Sequence, residues 1–170
     1  VNITTVANIN PSKGIEYFIE MTNILNQKYK NVIFYIVGSH FDSQREYSEK
    51  LFQKINDYQI KNLLFYGPSN NVASVLKATD IFVCSSIEEA SPMSVWEAMA
   101  MEKAIVSTDV GDVNVYIKDG ENGFVVPVMN AEALAEKVGI FIEDENLRVK
   151  FGKLARATAV KELDVAICAD

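Results

Sequence analysis

Val32-Ile33-Phe34-Tyr35-Ile36-Val37 is a run of apolar and aromatic side chains with no polar–apolar alternation. A strand with one wet face would alternate, so this run predicts a strand buried on both faces, the mark of a parallel sheet covered by helices. Other short segments rich in β-branched and aromatic residues flank it along the chain: Ile3–Ala7, Leu63–Tyr66, Ile81–Cys84, Ala104–Ser107 and Gly123–Val126. Between them lie helical patterns. Ile15, Phe18, Ile19, Thr22 and Leu25 recur at helical spacing ahead of Lys28–Lys30. Ser43–Tyr58 reads as a polar helix turning Leu51, Phe52 and Ile55 inward. Asn71–Lys77, Pro92–Met101, Asn130–Ile142 and Glu145–Ala159 complete the series. Strand alternating with helix implies right-handed βαβ units. The expected fold is α/β: a Rossmann-like, doubly wound parallel sheet of about six strands with helices on both faces.

The 170 residues suit one domain, and neither an internal repeat nor a linker divides them. An apolar share of 49% with 23% charged residues is globular composition. No apolar run approaches the ~20 residues that span a bilayer. A net charge of −7 lacks the basic clustering of a nucleic-acid binder, yet one lysine and one helix end can still make a local anion site. Cys84 and Cys168 have no metal-ligand spacing. Cys84 reads as a packed thiol in a buried strand, and Cys168 as exposed near the end. No disulfide framework or signal peptide is seen, which fits a reducing cytoplasm. The chain starts at Val1 and goes straight into an apolar segment, so it is expected to be a fragment of something longer.

In such a sheet ligands bind beyond the carboxyl ends of the strands. The segments to read are therefore Asn8–Gly14, Gly38–Phe41, Gly67–Asn71, Ser85–Ser94 and Thr108–Val113. No G-x-G-x-x-G follows the first strand and no G-x-x-x-x-G-K-[ST] occurs, so the dinucleotide and P-loop signatures are missing. The fourth segment carries the most chemistry. Pro92 suits a first helical turn, which leaves Glu89 in the loop and Glu97 more than a turn inside the helix. As continuous helix, their spacing would be ~12 Å, too wide for a glycosidase carboxylate pair at ~5–9.5 Å. Two carboxylates gripping different ends of one extended ligand fit better. Free N–H groups near Ser91, Met93 and Ser94 would attract an anion between them. Hydroxyls at both ends and a diphosphate in the middle describe a nucleotide sugar. Taken singly, either glutamate could equally serve only the helix dipole.

The segment Ser86…Glu89-Ala-Ser-Pro-Met-Ser-Val-Trp-Glu97-Ala-Met-Ala resembles the signature of the retaining glycosyltransferases of family 4 (group 1), which have the GT-B fold. The likeness extends through Asn8-Ile-Asn-Pro-Ser-Lys13-Gly14, Phe34-Tyr-Ile-Val-Gly38, Phe65-Tyr-Gly67, Ala78-Thr-Asp80, Val106-Ser-Thr-Asp-Val-Gly111 and Asp119-Gly-Glu-Asn-Gly-Phe124. It covers roughly residues 3 to 156, in the family's order. The resemblance implies the donor-binding, C-terminal half of a two-domain enzyme, with residues 1–160 as the nucleotide-sugar domain and 161–170 as a tail. The acceptor-binding N-terminal domain would be absent from this chain, which alone would be inactive. It further implies that Glu97 holds the ribose, that Glu89 faces the donor sugar near the anomeric centre as the catalytic group, and that Lys13 pairs with the diphosphate. Pro68 and Ser69 would meet the base; Asn8, Gly38, Ser91, Met93 and Ser94 would complete the donor site. A UDP-, GDP- or ADP-linked sugar would be the partner. No cofactor or metal is expected, since the chain has no D-x-D pair. The implied setting is cytoplasmic synthesis of a surface polysaccharide or glycolipid, with any peripheral contact at the inner face of the membrane made through the missing domain.

Three positions depart from the family. Ala7-Asn8 stands where Gly-Arg is usual, five residues before Lys13, so Asn8 removes one cation from the diphosphate clamp. Val115 replaces the glutamate of G-G-x-x-E, and Ala90 a common glycine. Two alternatives follow. A sugar-nucleotide epimerase shares the two-domain layout, but paired glutamates followed by Ala98-Met-Ala are the transferase pattern. A non-catalytic nucleotide-sugar-binding module gains some support from Asn8.

Other residues read as structural. His40 is a solvated loop residue with no catalytic partner, and Trp96 packs against the sheet. Tyr17, Phe18, Tyr29, Phe34, Phe65 and Phe124 are core or rim aromatics. Glu143-Asp144-Glu145 is a helix junction, and Lys150, Lys153, Arg156 and Lys161 form a basic strip.

Overall fold

The computed structural model describes residues 1–163. Strands β1 (Asn2–Val6), β2 (Ile33–Val37), β3 (Leu63–Gly67), β4 (Ile81–Cys84), β5 (Ala104–Thr108) and β6 (Phe124–Val126) form one sheet in the order β3-β2-β1-β4-β5-β6. Every neighbouring pair is parallel. Helices α1 (Ile15–Lys28), α2 (Arg45–Asp57), α3 (Val72–Lys77), α4 (Met93–Ala100), α5 (Val113–Tyr116), α6 (Ala131–Glu143) and α7 (Glu145–Glu162) connect and flank the strands. The chain winds outward from β1 through β2 and β3, then returns to place β4 on the other side of β1. That reversal opens a crevice above the carboxyl ends of β1 and β4.

Both faces of the sheet are buried at β4 and β5. At β2 and β3 only the face towards α1 and α2 is covered, and Ile33, Leu64 and Tyr66 are exposed on the other. The two-sided burial expected of Val32–Val37 therefore fails on one face, because the short α3 does not roof these strands. Ile81 and Val83 enter one core with Ile3, Phe34, Ile36, Phe18 and Phe141. Phe82 and Cys84 point the other way, to Trp96, Met99, Ile105 and Ala155. The α1 stripe of Ile15, Phe18, Ile19, Thr22 and Leu25 is wholly buried, and the Thr22 hydroxyl is satisfied by the Phe18 carbonyl at 2.9 Å. Asn71, Asn130 and Asp144 cap α3, α6 and α7 by accepting from a backbone N–H in the first turn. The Glu143-Asp144-Glu145 junction is thus a helix stop followed directly by a cap.

Several expectations change in detail. The segment Asp42–Gln44 forms a 3-10 turn, so α2 starts at Arg45 instead of Ser43. Phe52 does not turn inward. It is 48% exposed and lies against Phe65 with ring centroids 4.9 Å apart, because Leu51 and Ser48 already occupy the buried stripe of α2. Pro92 is the cap of α4, and its carbonyl accepts from Val95 N at 2.9 Å. The short α5 has no counterpart in the sequence reading. Helix α7 continues past Ala159 to Glu162, since buried Ala159 still anchors it and accepts from Leu163 N at 3.0 Å. Arg156 is not a free member of a basic strip: it reaches the Ala100 carbonyl and lies 3.7 Å from Glu102. His40 is exposed, while Cys84 and Trp96 are buried. Cys168 and the remainder of the tail lie outside the described residues.

Candidate functional site

Above β1 and β4, four of the five segments meet in an open cleft of about 430 Å³. The β1–α1 segment enters through the 3-10 turn Pro11–Lys13, and Gly14 follows at φ +57°. A Cβ on Gly14 would lie 2.1 Å from the Ser85 carbonyl oxygen, so only glycine lets this turn rest on the β4–α4 loop. Ile87 N donates to the Ser12 carbonyl at 2.7 Å and ties the two loops together. On the other flank a Cβ on Gly38 would lie 2.1 Å from the Ala7 carbonyl oxygen. The carboxyl ends of β1, β2 and β4 are thereby drawn together around the crevice.

Lys13 and Glu89, far apart in sequence, pair across it at 2.5 Å, with side chains only 24% and 16% exposed. Glu89 Oε1 also accepts from the Ser86 hydroxyl at 3.0 Å. Ser86 is steadied from below: its carbonyl accepts from Thr108 Oγ1 at 2.6 Å, and its hydroxyl takes a weak contact from the Cys84 thiol at 3.6 Å. The glutamate is thus held by a lysine, a serine and the loop beneath. Glu97 is different. It lies half-buried inside α4 with no hydrogen-bond or ion-pair partner among the described residues, and burial pushes its carboxyl above the usual range. A charge kept in such a place costs stability, which is a common property of binding and catalytic groups.

At the start of α4, Ser91 accepts from the Trp96 indole N–H at 3.0 Å and donates to Asp112 at 3.1 Å. The second Asp112 oxygen is buried without a partner among the described residues. Met93 is 57% exposed at the lip. Asn8 Oδ1 accepts from Ser39 N at 3.1 Å, which binds the β1 loop to the β2 loop through the side chain that replaces the family's cation. Ser69 Oγ accepts from Asn71 N at 3.1 Å and shapes the turn after β3.

Asn8, Lys13, Gly38, Pro68, Ser69, Glu89, Ser91, Met93 and Ser94 all line this one cleft. Glu97 is not among the lining residues; it follows one turn beyond Ser94 on the same face of α4, next to the cleft's edge. The sequence reading missed the apolar wall of Val6, Ala7, Val37 and Val72, along with Ser39. Ser39 had a signal, since it follows Gly38 in a loop marked as functional, whereas the wall residues look like any strand or helix residue. Ser86 was visible only as part of the Ser-x-x-Glu spacing. Chemically, the cleft offers one lysine, the amide groups at the start of α4, and hydroxyl and carboxylate acceptors. That set suits a phosphorylated, hydroxyl-rich ligand.

A parallel sheet wound in both directions from β1, with a polar cleft over the switch point, defines a Rossmann-like domain of the kind that takes nucleotides there. The sequence model of the group 1 glycosyl transferases matches residues 2–158, and the chain belongs to that family. A trehalose synthase from Thermococcus litoralis is 34% identical over 160 residues, which cover 91% of this chain and 38% of that protein. The putative glycosyltransferase EpsD of Bacillus subtilis is 28% identical over 91% of this chain and 40% of its own length. The chain therefore spans about two-fifths of these curated relatives. Among solved structures, the C-terminal domain of the group 1 glycosyl transferase LpcC from Francisella tularensis matches with a TM-score of 0.88 and 28% identity, over 95% of this chain and 85% of that one. Anabaena HepE, in complex with UDP, matches with a TM-score of 0.91 and 22% identity, over 98% of this chain and 46% of that one. The fold is one half of a GT-B glycosyltransferase.

Proposed function

We propose that residues 1–160 are the donor-binding half of a retaining glycosyltransferase, which moves a hexose-type sugar from a nucleoside diphosphate to a glycan or lipid acceptor. The observation that carries this reading is the meeting of Lys13, Glu89 and the first turn of α4 in one cleft at the switch point. A diphosphate entering the cleft competes with Glu89 for the Lys13 ammonium and takes amide hydrogen bonds from the α4 start. Lys13 then stabilises the nucleotide as leaving group while the anomeric carbon–oxygen bond breaks, and its contribution grows as charge collects on the phosphate. Glu89, released from Lys13, accepts from hydroxyls of the donor sugar beside the anomeric carbon. Glu97 accepts from the ribose hydroxyls, which exchange an unpartnered carboxylate for a paired one. Pro68 and Ser69 border the base. Because HepE is a fold neighbour solved with UDP, UDP-linked sugars are the first donors to try.

The second domain of the whole enzyme supplies the acceptor site, in a cytoplasmic setting at the inner face of a membrane where surface polysaccharide or glycolipid is built. No helix among the described residues is long and apolar enough to cross a membrane. One observation favours a non-catalytic binding module: Asn8 brings no charge to the cleft and is already engaged by Ser39 N. A transfer assay on the full two-domain polypeptide separates the readings. Glu89→Gln is expected to cut sugar transfer by about 100-fold or more while leaving nucleotide affinity equal or higher. The 170-residue chain alone is expected to transfer nothing. Unchanged transfer in Glu89→Gln would remove the assigned role.

A further inference from the structure

A second pocket of about 350 Å³ opens on the face of the sheet opposite α1 and α2. Helix α3 buries only Leu76 and is too short to roof β1, β2 and β3. Phe34, Ile36, Leu63 and Phe65 face the first core, which turns Ile33, Tyr35, Leu64 and Tyr66 to this side. Tyr66 is left 64% exposed. The pocket lies between these strands and α3, and it borders the donor cleft through Val37 and Ser69, which line both.

Its chemistry is distinct from that of the cleft. No lining residue carries a charge. The floor is satisfied, because Thr79 Oγ1 donates to Thr4 Oγ1 at 2.9 Å. The walls are open to water: among the described residues the hydroxyls of Tyr35, Tyr66 and Ser74 and the amide nitrogen of Asn71 make no hydrogen bond to the protein, and Tyr66, Asn71 and Ser74 are exposed, while Asn71 Oδ1 is fixed by Ser74 N at 2.9 Å. A phosphate or carboxylate would find no cation here. A purely aliphatic ligand would cover several polar groups and pair none of them, which is costly. A neutral sugar ring meets both demands: its hydroxyls pair with the free wall groups, and its C–H face lies on a tyrosine ring. The volume is at the small end of ligand sites, ~300–1,000 Å³, and admits about one ring.

We infer that this pocket is a carbohydrate-binding subsite for a neutral hexose unit of a glycan, beside the donor cleft and separate from it. Its recognition uses none of the residues assigned to the diphosphate or the ribose. On the glycosyl-transfer function proposed above, a glycan held here stays next to the edge of the cleft between one transfer and the next.

Saturation-transfer NMR on the 170-residue chain tests this with methyl α-glucoside, methyl α-galactoside and N-acetylglucosamine as probes. At least one is expected to bind saturably in the range of about 1–20 mM, as befits a single ring. Tyr66→Ala, at an exposed position, should weaken that binding about tenfold or abolish it while the circular dichroism spectrum stays unchanged. Glu89→Gln should leave it intact. The inference is overturned if no probe binds saturably, or if binding survives Tyr66→Ala. It is equally overturned if Glu89→Gln abolishes binding, which would place the sugar in the donor cleft. A dimer dispersed by Tyr66→Ala in sedimentation would instead assign the face to self-association and also refute it.

Discussion

Glu97→Gln is predicted to make the protein more stable and a poorer binder at the same time. The side chain sits half-buried in α4 with no partner among the described residues, and burial raises its carboxyl pKa. The sign follows from that direction. Above the raised folded pKa the carboxylate is charged in both states, and only the folded state bears the desolvation cost. Below about pH 4.5, the ordinary value, both states are protonated and the cost is gone. Gln keeps the shape and removes the charge. A fully buried unpaired polar group costs about 1–3 kcal/mol in mutational data, and half exposure reduces this to about 0.5–1 kcal/mol. For a domain of this size the gain is a rise in Tm of about 1–4 °C at pH 7, which fades as the pH is lowered towards 4.5. The same change removes the ionised acceptor for the ribose, where a hydrogen bond to a charged group is worth about 1.5–3 kcal/mol, or about ten- to hundredfold in nucleotide affinity. Thermal melts at several pH values, with nucleotide titration of the same two proteins, read both effects. A variant that is no more stable at pH 7 and binds nucleotide as tightly as the parent would refute the reasoning.

Lys13→Met strands Glu89 with Ser86 as its one neutral partner and is expected to cost about 1–2 kcal/mol in urea unfolding. Adding Glu89→Gln should recover most of that stability but none of the nucleotide affinity; recovery of both would show that the pair is structural only. Asn8→Arg restores a cation at the cleft and should raise affinity for a nucleoside diphosphate about two- to fivefold, measured by calorimetry. No gain would mean that the Asn8–Ser39 contact matters more than the charge. Gly14→Ala drives a Cβ to 2.1 Å from the Ser85 carbonyl oxygen at φ +57°, and should destabilise the domain by more than about 2 kcal/mol. A melting temperature within a degree of the parent would show that the two loops can separate freely.

The strands were legible because each is a short run of apolar and β-branched residues with no competing helical period, but β2 overstated the cover: its apolar run predicts burial on both faces, and Ile33 is left exposed on one. Helix α5 was not, since Val113–Tyr116 is a single turn and a period of 3.6 residues cannot show itself in one turn. Phe52 was misjudged for a related reason. Helical spacing identifies a stripe but not its width, and the stripe of α2 ends at Leu51. At the site, residue type and spacing marked the polar members, because carboxylates, a lysine and a capping proline have distinct chemistry. The contact between Lys13 and Glu89 was out of reach, as it depends on β4 lying beside β1, a fact of strand order. Glu97 was marked by its motif, yet its burial and lack of a partner are properties of packing alone.

Every role assigned above depends on a nucleoside diphosphate seated in the cleft above β1 and β4. Calorimetric titration of UDP into the parent protein, Lys13→Ala and Glu97→Gln tests it most directly, with GDP and ADP as the remaining probes. Saturable binding of at least one of the three to the parent is expected, weakened about tenfold or more by either substitution. Absence of binding by all three nucleotides up to millimolar concentration, or equal binding by parent and both variants, would contradict it.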